Sequence, residues 1–282
     1  QPRALRVSGL QKRIGLVLPI PIPIVLQRVQ FRPHMLSYLF FPGSPFIDVI
    51  AQMSDQIQTV TYRDVGVGDI DRNRVLRNTY LLLAISMLPT VLGAWLGVST
   101  GLHKAFSGIL GMVLFLGAAF GFMYAIERTK ESSKGVFVLL AFTFFMGLML
   151  SGLISAVLGF RNGPQLIMTA FAGTAGVFFA MASLASVIKR DLSGMGKWLF
   201  VGAIVLLVAS IINAFVASTA GMMVISTLAI LIFSAFMLYD IRRVIDGGET
   251  NYISATLAIY LDVFNVFQSL LSLLGLMGGE RD

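Results

Sequence analysis

Seven stretches of about 20 apolar residues follow one another with short connections, and no other feature limits the fold as strongly. They lie at roughly 78–98, 106–126, 135–159, 165–187, 198–217, 221–241 and 253–277. A helix of about 20 residues crosses the ~30 Å hydrocarbon core of a bilayer and satisfies its own backbone hydrogen bonds there. The pattern therefore predicts an all-α membrane protein, a bundle of seven transmembrane helices. Charge content agrees. Only 12% of residues are charged and 56% are hydrophobic, against about 25% charged in a soluble domain. The chain has too little polar surface to face water on every side, so lipid is its expected partner.

The remaining charge sorts by side. With the segment before the first run on side one, that side holds Arg72, Arg74, Arg77, Arg128, Lys130, Lys134, Lys189, Arg190, Lys197, Arg242 and Arg243 near the spans. Side two holds Lys104, Arg161 and Arg281. By the positive-inside rule side one is cytoplasmic, which places the N-terminus inside and, with seven spans, the C-terminus outside. The net charge of +7 thus reports topology, and a nucleic-acid partner is not expected. The chain has no cysteine, which excludes disulfides and thiolate metal sites. His34 and His103 are too few and too far apart for a histidine metal site, and no cofactor is expected.

The first part of the chain reads differently. Leu16 to Leu26 is apolar but carries Pro19, Pro21 and Pro23, and prolines so spaced cannot continue a helix. Three regions follow: 1–52 as a disordered or artefactual extension, 53–77 as a polar cytoplasmic arm starting at Met53, and 78–279 as the transmembrane domain. Within the last, helices pack through small residues, because lipid gives no water-exclusion force between spans. Gly147, Ser151, Ser155 and Gly159 recur every four positions, and Gly93 with Gly97 and Gly117 with Gly121 repeat the spacing. All are read as helix contacts.

Two acids depart from the loop pattern. An ionisable residue inside a span is costly and marks function by default. Asp262 lies nine residues into the seventh run, roughly 13 Å along the helix. Asn265, Ser269 and Ser272 follow at helical spacing, with Gln268 nearby, as a polar stripe on an apolar helix. Asp240 ends the sixth run beside Arg242 and Arg243. A short loop brings both acids into the cytoplasmic half of two antiparallel neighbours. Two carboxyls a few Å apart in low dielectric cannot both ionise cheaply and share a proton. When both are charged they repel, and they suit a hard divalent cation. This chemistry leaves open a pH-gated cation path, a proton relay, or aspartyl hydrolysis.

The residues around these acids resemble the Bax inhibitor family, in its bacterial YccA-like branch. The likeness lies in Leu238-Tyr239-Asp240-Ile241, in Ile259-Tyr260-Leu261-Asp262-Val263-Phe264-Asn265-Val266-Phe267, and in the loop Lys189-Arg190-Asp191-Leu192-Ser193. It covers about 70–280. The resemblance implies six helices around a central seventh. It implies a diaspartyl sensor, matched by Asp240 and Asp262, that controls a calcium leak with pH and holds calcium transiently. It also implies an arginine latch near the end of helix two, for which Arg128 is the nearest match; the polar stripe itself makes Asn265, Gln268 and Ser269 candidates to line a water path. It further implies the bacterial inner membrane, a periplasmic C-terminus, and association with the FtsH membrane protease, whose activity the branch modulates.

Two other readings are weaker. Intramembrane aspartyl proteases also carry Tyr-Asp on a sixth helix, as in Tyr239-Asp240, but their second acid follows Gly-x-Gly. Here Ile259-Tyr260-Leu261 precedes Asp262, so an enzyme is not expected. A coupled transporter would show paired broken helices. Pro89, Gly173 and Gly176 form no inverted repeat.

Overall fold

The computed structural model describes residues 67–102, 104 and 108–279. The expectations for 1–52, for a start at Met53 and for 53–66 lie outside the described residues. Seven α-helices follow in order: α1 Val67–Thr100, α2 Gly108–Thr129, α3 Ser133–Leu158, α4 Gly163–Val187, α5 Met195–Val216, α6 Thr219–Ile245 and α7 Tyr252–Gly278. Each covers one of the apolar runs to within two residues. Among the described residues, six are long and apolar enough to cross a membrane: α1 and α3 to α7.

The first helix departs most from expectation. Its 34 residues measure about 51 Å, well beyond the ~30 Å a bilayer core requires. The excess is at the N-terminal end, where Arg72, Arg74 and Arg77 are exposed. The last part of the polar arm is therefore a continuation of α1. Arginine is a good helix former, and apolar content marks only the stretch that lipid covers.

Burial distinguishes inner from outer helices. α7 buries Ile253, Ala255, Thr256, Ile259, Tyr260, Asp262, Phe264, Val266 and Leu271, and it packs against α1, α2, α3, α4 and α6. α5 buries only Leu206 and Asn213 and, among the described residues, packs on α6 alone. Its exposed side chains include Trp198, Phe200, Val205 and Phe215, a surface suited to lipid.

The α1–α3 crossing is the tightest contact. A Cβ on Gly147 would overlap the Thr90 carbonyl oxygen of α1, and one on Gly93 would overlap the Phe144 carbonyl oxygen of α3. Gly97 sits in the same way against Ser151. These positions carry the expected small-residue contact. Gly117 and Gly121 on α2 do not, since among the described residues nothing lies within 4 Å of a Cβ at either.

Polar ties fix the start and middle of α7. Asn251 is its N-cap, and its Oδ1 accepts from Ile253 N at 2.9 Å and Ser254 N at 3.1 Å. Its Nδ2 donates to Lys130 O at 3.0 Å and Glu131 Oε1 at 3.2 Å in the α2–α3 turn. Deeper in, Tyr260 OH and Thr90 Oγ1 share a hydrogen bond of 2.9 Å, and the Tyr260 hydroxyl donates to Thr143 O at 3.4 Å. Loss of an N-cap costs about 1 kcal/mol, and each tie to the turn adds a fraction of that. Asn251→Ala is thus expected to destabilise the bundle by about 2 kcal/mol. Thermal unfolding in detergent would show it, with Asn251→Ser, which keeps the cap, losing less.

Candidate functional site

The α6–α7 connection is built to hold α6's last turn beside α7's first turns. Gly247 takes a positive φ of 78°, which suits glycine alone without cost. The turn closes with Asp246 N to Arg242 O and Gly248 N to Arg243 O, both 2.9 Å. Chain reversal this tight brings Asp240, five residues before the helix end, level with the second and third turns of α7. The two carboxyl side chains there lie close enough to act on one another. Two ionised carboxylates have no donor between them, so a hydrogen bond across the pair would require a proton on one.

Their surroundings differ. Asp262 is 4% exposed, and its Oδ2 is buried with no hydrogen-bond partner among the described residues. Asp240 is half-buried and lines a cavity of about 290 Å³. Glu127 from α2, Arg243 and Val244 from α6, Glu249 from the turn, and Ser254, Ala255, Leu257, Ala258 and Leu261 from α7 complete its wall. The Glu127 and Arg243 side chains are largely exposed, 64% and 47%, so the charged end of the cavity meets solvent and Asp240 forms part of its wall. Among the described residues α2 and α6 make no contact with each other, which leaves the cavity between them over α7.

Of the residues to which the sequence points, Asp240 and Asp262 come together and Arg128 does not join them. Arg128 is exposed. Its guanidinium lies 5.2 Å over the Tyr124 ring and its Nε donates to Tyr124 OH at 2.9 Å. Successive residues on a helix point about 100° apart, and it is Glu127 that faces the cavity. The polar stripe also divides. Asn265 Nδ2 donates to its own helix at Leu261 O, 2.7 Å away. Gln268 is exposed and Ser269 half-buried. Ser272 bonds across to Ser226 of α6 at 3.4 Å. Among the described residues no group of three or more His, Asp or Glu is placed to hold a metal ion.

Arg243, Glu249 and Ser254 join the site without having been expected there. Arg243 stands three positions after Asp240, which puts both on one helix face, and that spacing is the signal the sequence offers. Arg242 faces elsewhere. It pairs with Asp246 at 2.8 Å, and its Nη1 donates to Ala185 O of α4 at 3.1 Å. At the α4–α5 turn, Asp191 accepts from Ser193 N at 2.8 Å and Ser193 Oγ at 2.9 Å. Those bonds hold its carboxyl below the usual range.

Known proteins share this sequence over most of its length. Residues 72–279 match the family model described as Inhibitor of apoptosis-promoting Bax1. The chain is 36% identical over 211 residues to an uncharacterized membrane protein of Vibrio cholerae, covering 75% of this chain and 93% of that one. It is 36% identical over 220 residues to a protein of Neisseria meningitidis, covering 77% and 97%. It is 34% identical over 206 residues to the modulator of FtsH protease YccA of Escherichia coli, covering 73% and 91%.

Proposed function

Because the chain belongs to the Bax inhibitor family, we propose that it is a pH-sensitive cation leak in which Asp240 and Asp262 are both the sensor and part of the path. The observation that carries this reading is the placement of two neighbouring carboxyls, Asp240 in the wall of a solvent-connected cavity and Asp262 in the buried middle of the bundle. With the shared proton in place the pair is compact and closes the inner end of the cavity. Loss of that proton leaves two like charges in contact, which repel. The same charges attract a hard cation such as calcium. Flux is then expected to rise with pH.

In this reading all seven helices cross the membrane. α2 is taken as the seventh span in this reading, since its 22 residues carry no charge from Gly108 to Ile126. α7 is central, consistent with its five packing partners. The basic connections lie in the cytoplasm, so the cavity opens there, and the C-terminus is periplasmic. Hydrolysis is not proposed, because Leu261 fills the wall where a peptide backbone would have to approach. The test is calcium entry into liposomes containing the protein, followed from pH 5 to 9. Flux that grows with pH is expected, and no flux at any pH would remove the reading.

A second reading rests on the relative named a modulator of FtsH protease. This chain would then bind that protease and alter its activity, with or without ion movement. Co-purification with FtsH, and a changed rate of FtsH proteolysis on adding the protein, would support it. Absence of both would count against it.

A further inference from the structure

The cavity wall contains one cation among its charged groups, and its placement is specific. Arg243 Nη2 lies 3.2 Å from Glu249 Oε2. Glu249 is itself held, since its Oε1 accepts from Asn251 N at 3.0 Å, and Asn251 is the N-cap of α7. The turn folds back over the arginine through Gly248, whose Cβ position lies 3.2 Å from Arg243 Cγ. Arg243 and Asp240 nevertheless line one cavity and lie close enough to act on each other electrostatically.

Charge reaches Asp240 from few of its neighbours. α7 supplies Asp262; the α2 end brings Glu127 to the cavity wall, but that carboxylate is paired with Lys130, which also acts on Glu249 from outside the wall. α4 has no charged residue. α5 has only Lys197, which is exposed. α1 brings Arg72 to the turn, where its Cδ lies 3.7 Å from the Cβ position of Gly247, and Arg72 is not part of the cavity wall. Arg243 is therefore the cation that faces the carboxyl pair from within the wall.

We propose that Glu249 is a positioning residue: it anchors Arg243 to the start of α7, and the Arg243–Glu249 pair thereby sets the charge against which Asp240 and Asp262 gain or lose their proton. The proposal rests on the sensor reading above, but it concerns protonation and not conduction. Removing Glu249's charge releases the guanidinium toward Asp240 and takes away a nearby anion. Both changes favour the ionised pair. Removing Arg243's charge leaves Glu249 unbalanced in the wall and favours the protonated pair. The two neutral variants are thus expected to act in opposite directions, which general damage to the fold would not produce.

The experiment is an infrared titration of the full chain in lipid, following the carboxylic-acid C=O band that Asp240→Asn removes. In Glu249→Gln the midpoint is expected about one pH unit lower, and in Arg243→Gln about one pH unit higher. Arg243→Lys, which keeps the charge, is expected to stay near wild type. Unmoved midpoints, shifts of the same sign, or the lack of any Asp240-dependent band would overturn the proposal. Opposite shifts without calcium flux would uphold it and remove the channel reading. Normal pH-dependent flux with unmoved midpoints would do the reverse.

Discussion

Gly147→Ala is expected to destabilise the bundle by about 2–3 kcal/mol, while the same change at Gly121 is expected to be neutral or to stabilise by up to ~1 kcal/mol. Both glycines belong to four-residue small spacings inside apolar helices. What differs is the partner. At Gly147 an added Cβ meets three backbone atoms of α1: Thr90 O, Thr90 C at 2.8 Å and Ala94 N at 3.0 Å. Backbone cannot rotate away, so α1 and α3 must separate. Separation would also loosen the reciprocal contacts of Gly93 and Gly97 and the Thr90–Tyr260 hydrogen bond. At Gly121 nothing among the described residues lies within 4 Å, and alanine is the better helix former. Thermal unfolding of both variants in one detergent tests the contrast. Equal effects at the two sites would contradict the packing described here.

Asp262→Asn is expected to remove the pH dependence of flux while leaving the fold intact. Asparagine keeps the size of the side chain and can still hydrogen-bond Asp240, but it cannot ionise. Because Asp262 is 4% exposed and its Oδ2 lacks a partner among the described residues, a permanently neutral group there costs little and spares the desolvation of a charge. Function is where the loss falls. Without the second carboxylate the pair cannot repel, and the path keeps the resistance of its protonated form. Flux at pH 8 is expected to drop about tenfold, the change that ~1.4 kcal/mol of barrier produces, and to equal the variant's own flux at pH 5. Unfolding measured beside it should match wild type within about 1 kcal/mol. A lowered flux that still rose with pH would place the sensor elsewhere.

Much of this molecule is legible in its amino-acid sequence. Bilayer thickness sets a length that an apolar run must meet, so each run matches an observed helix to within two residues. The acids are legible for a related reason: a charge in lipid is expensive, and Asp262 has no loop to occupy. Features that depend on how helices sit against each other are not. The start of α1 at Val67 is hidden because Arg72, Arg74 and Arg77 read as an arm by composition, although they extend a helix. Gly121 looks like Gly147 until the neighbour is known. Arg128 is the natural candidate beside the acids, yet α2 turns Glu127 to the cavity and sends Arg128, one position on, to Tyr124. Arg243 reads as an ordinary interfacial charge. Its role near Asp240 depends on Glu249, whose position follows from the Gly247 turn and the Asn251 cap.

The central claim is that Asp240 and Asp262 act as one titrating unit, and a double-mutant cycle on calcium flux tests it most directly. Wild type, Asp240→Asn, Asp262→Asn and the double variant would be reconstituted in liposomes and followed from pH 5 to 9. The prediction is that each single change abolishes the pH response and that the double change adds nothing further, since half a pair cannot share a proton or repel. Two partial losses that simply add in the double variant would show two independent acids and would contradict the account.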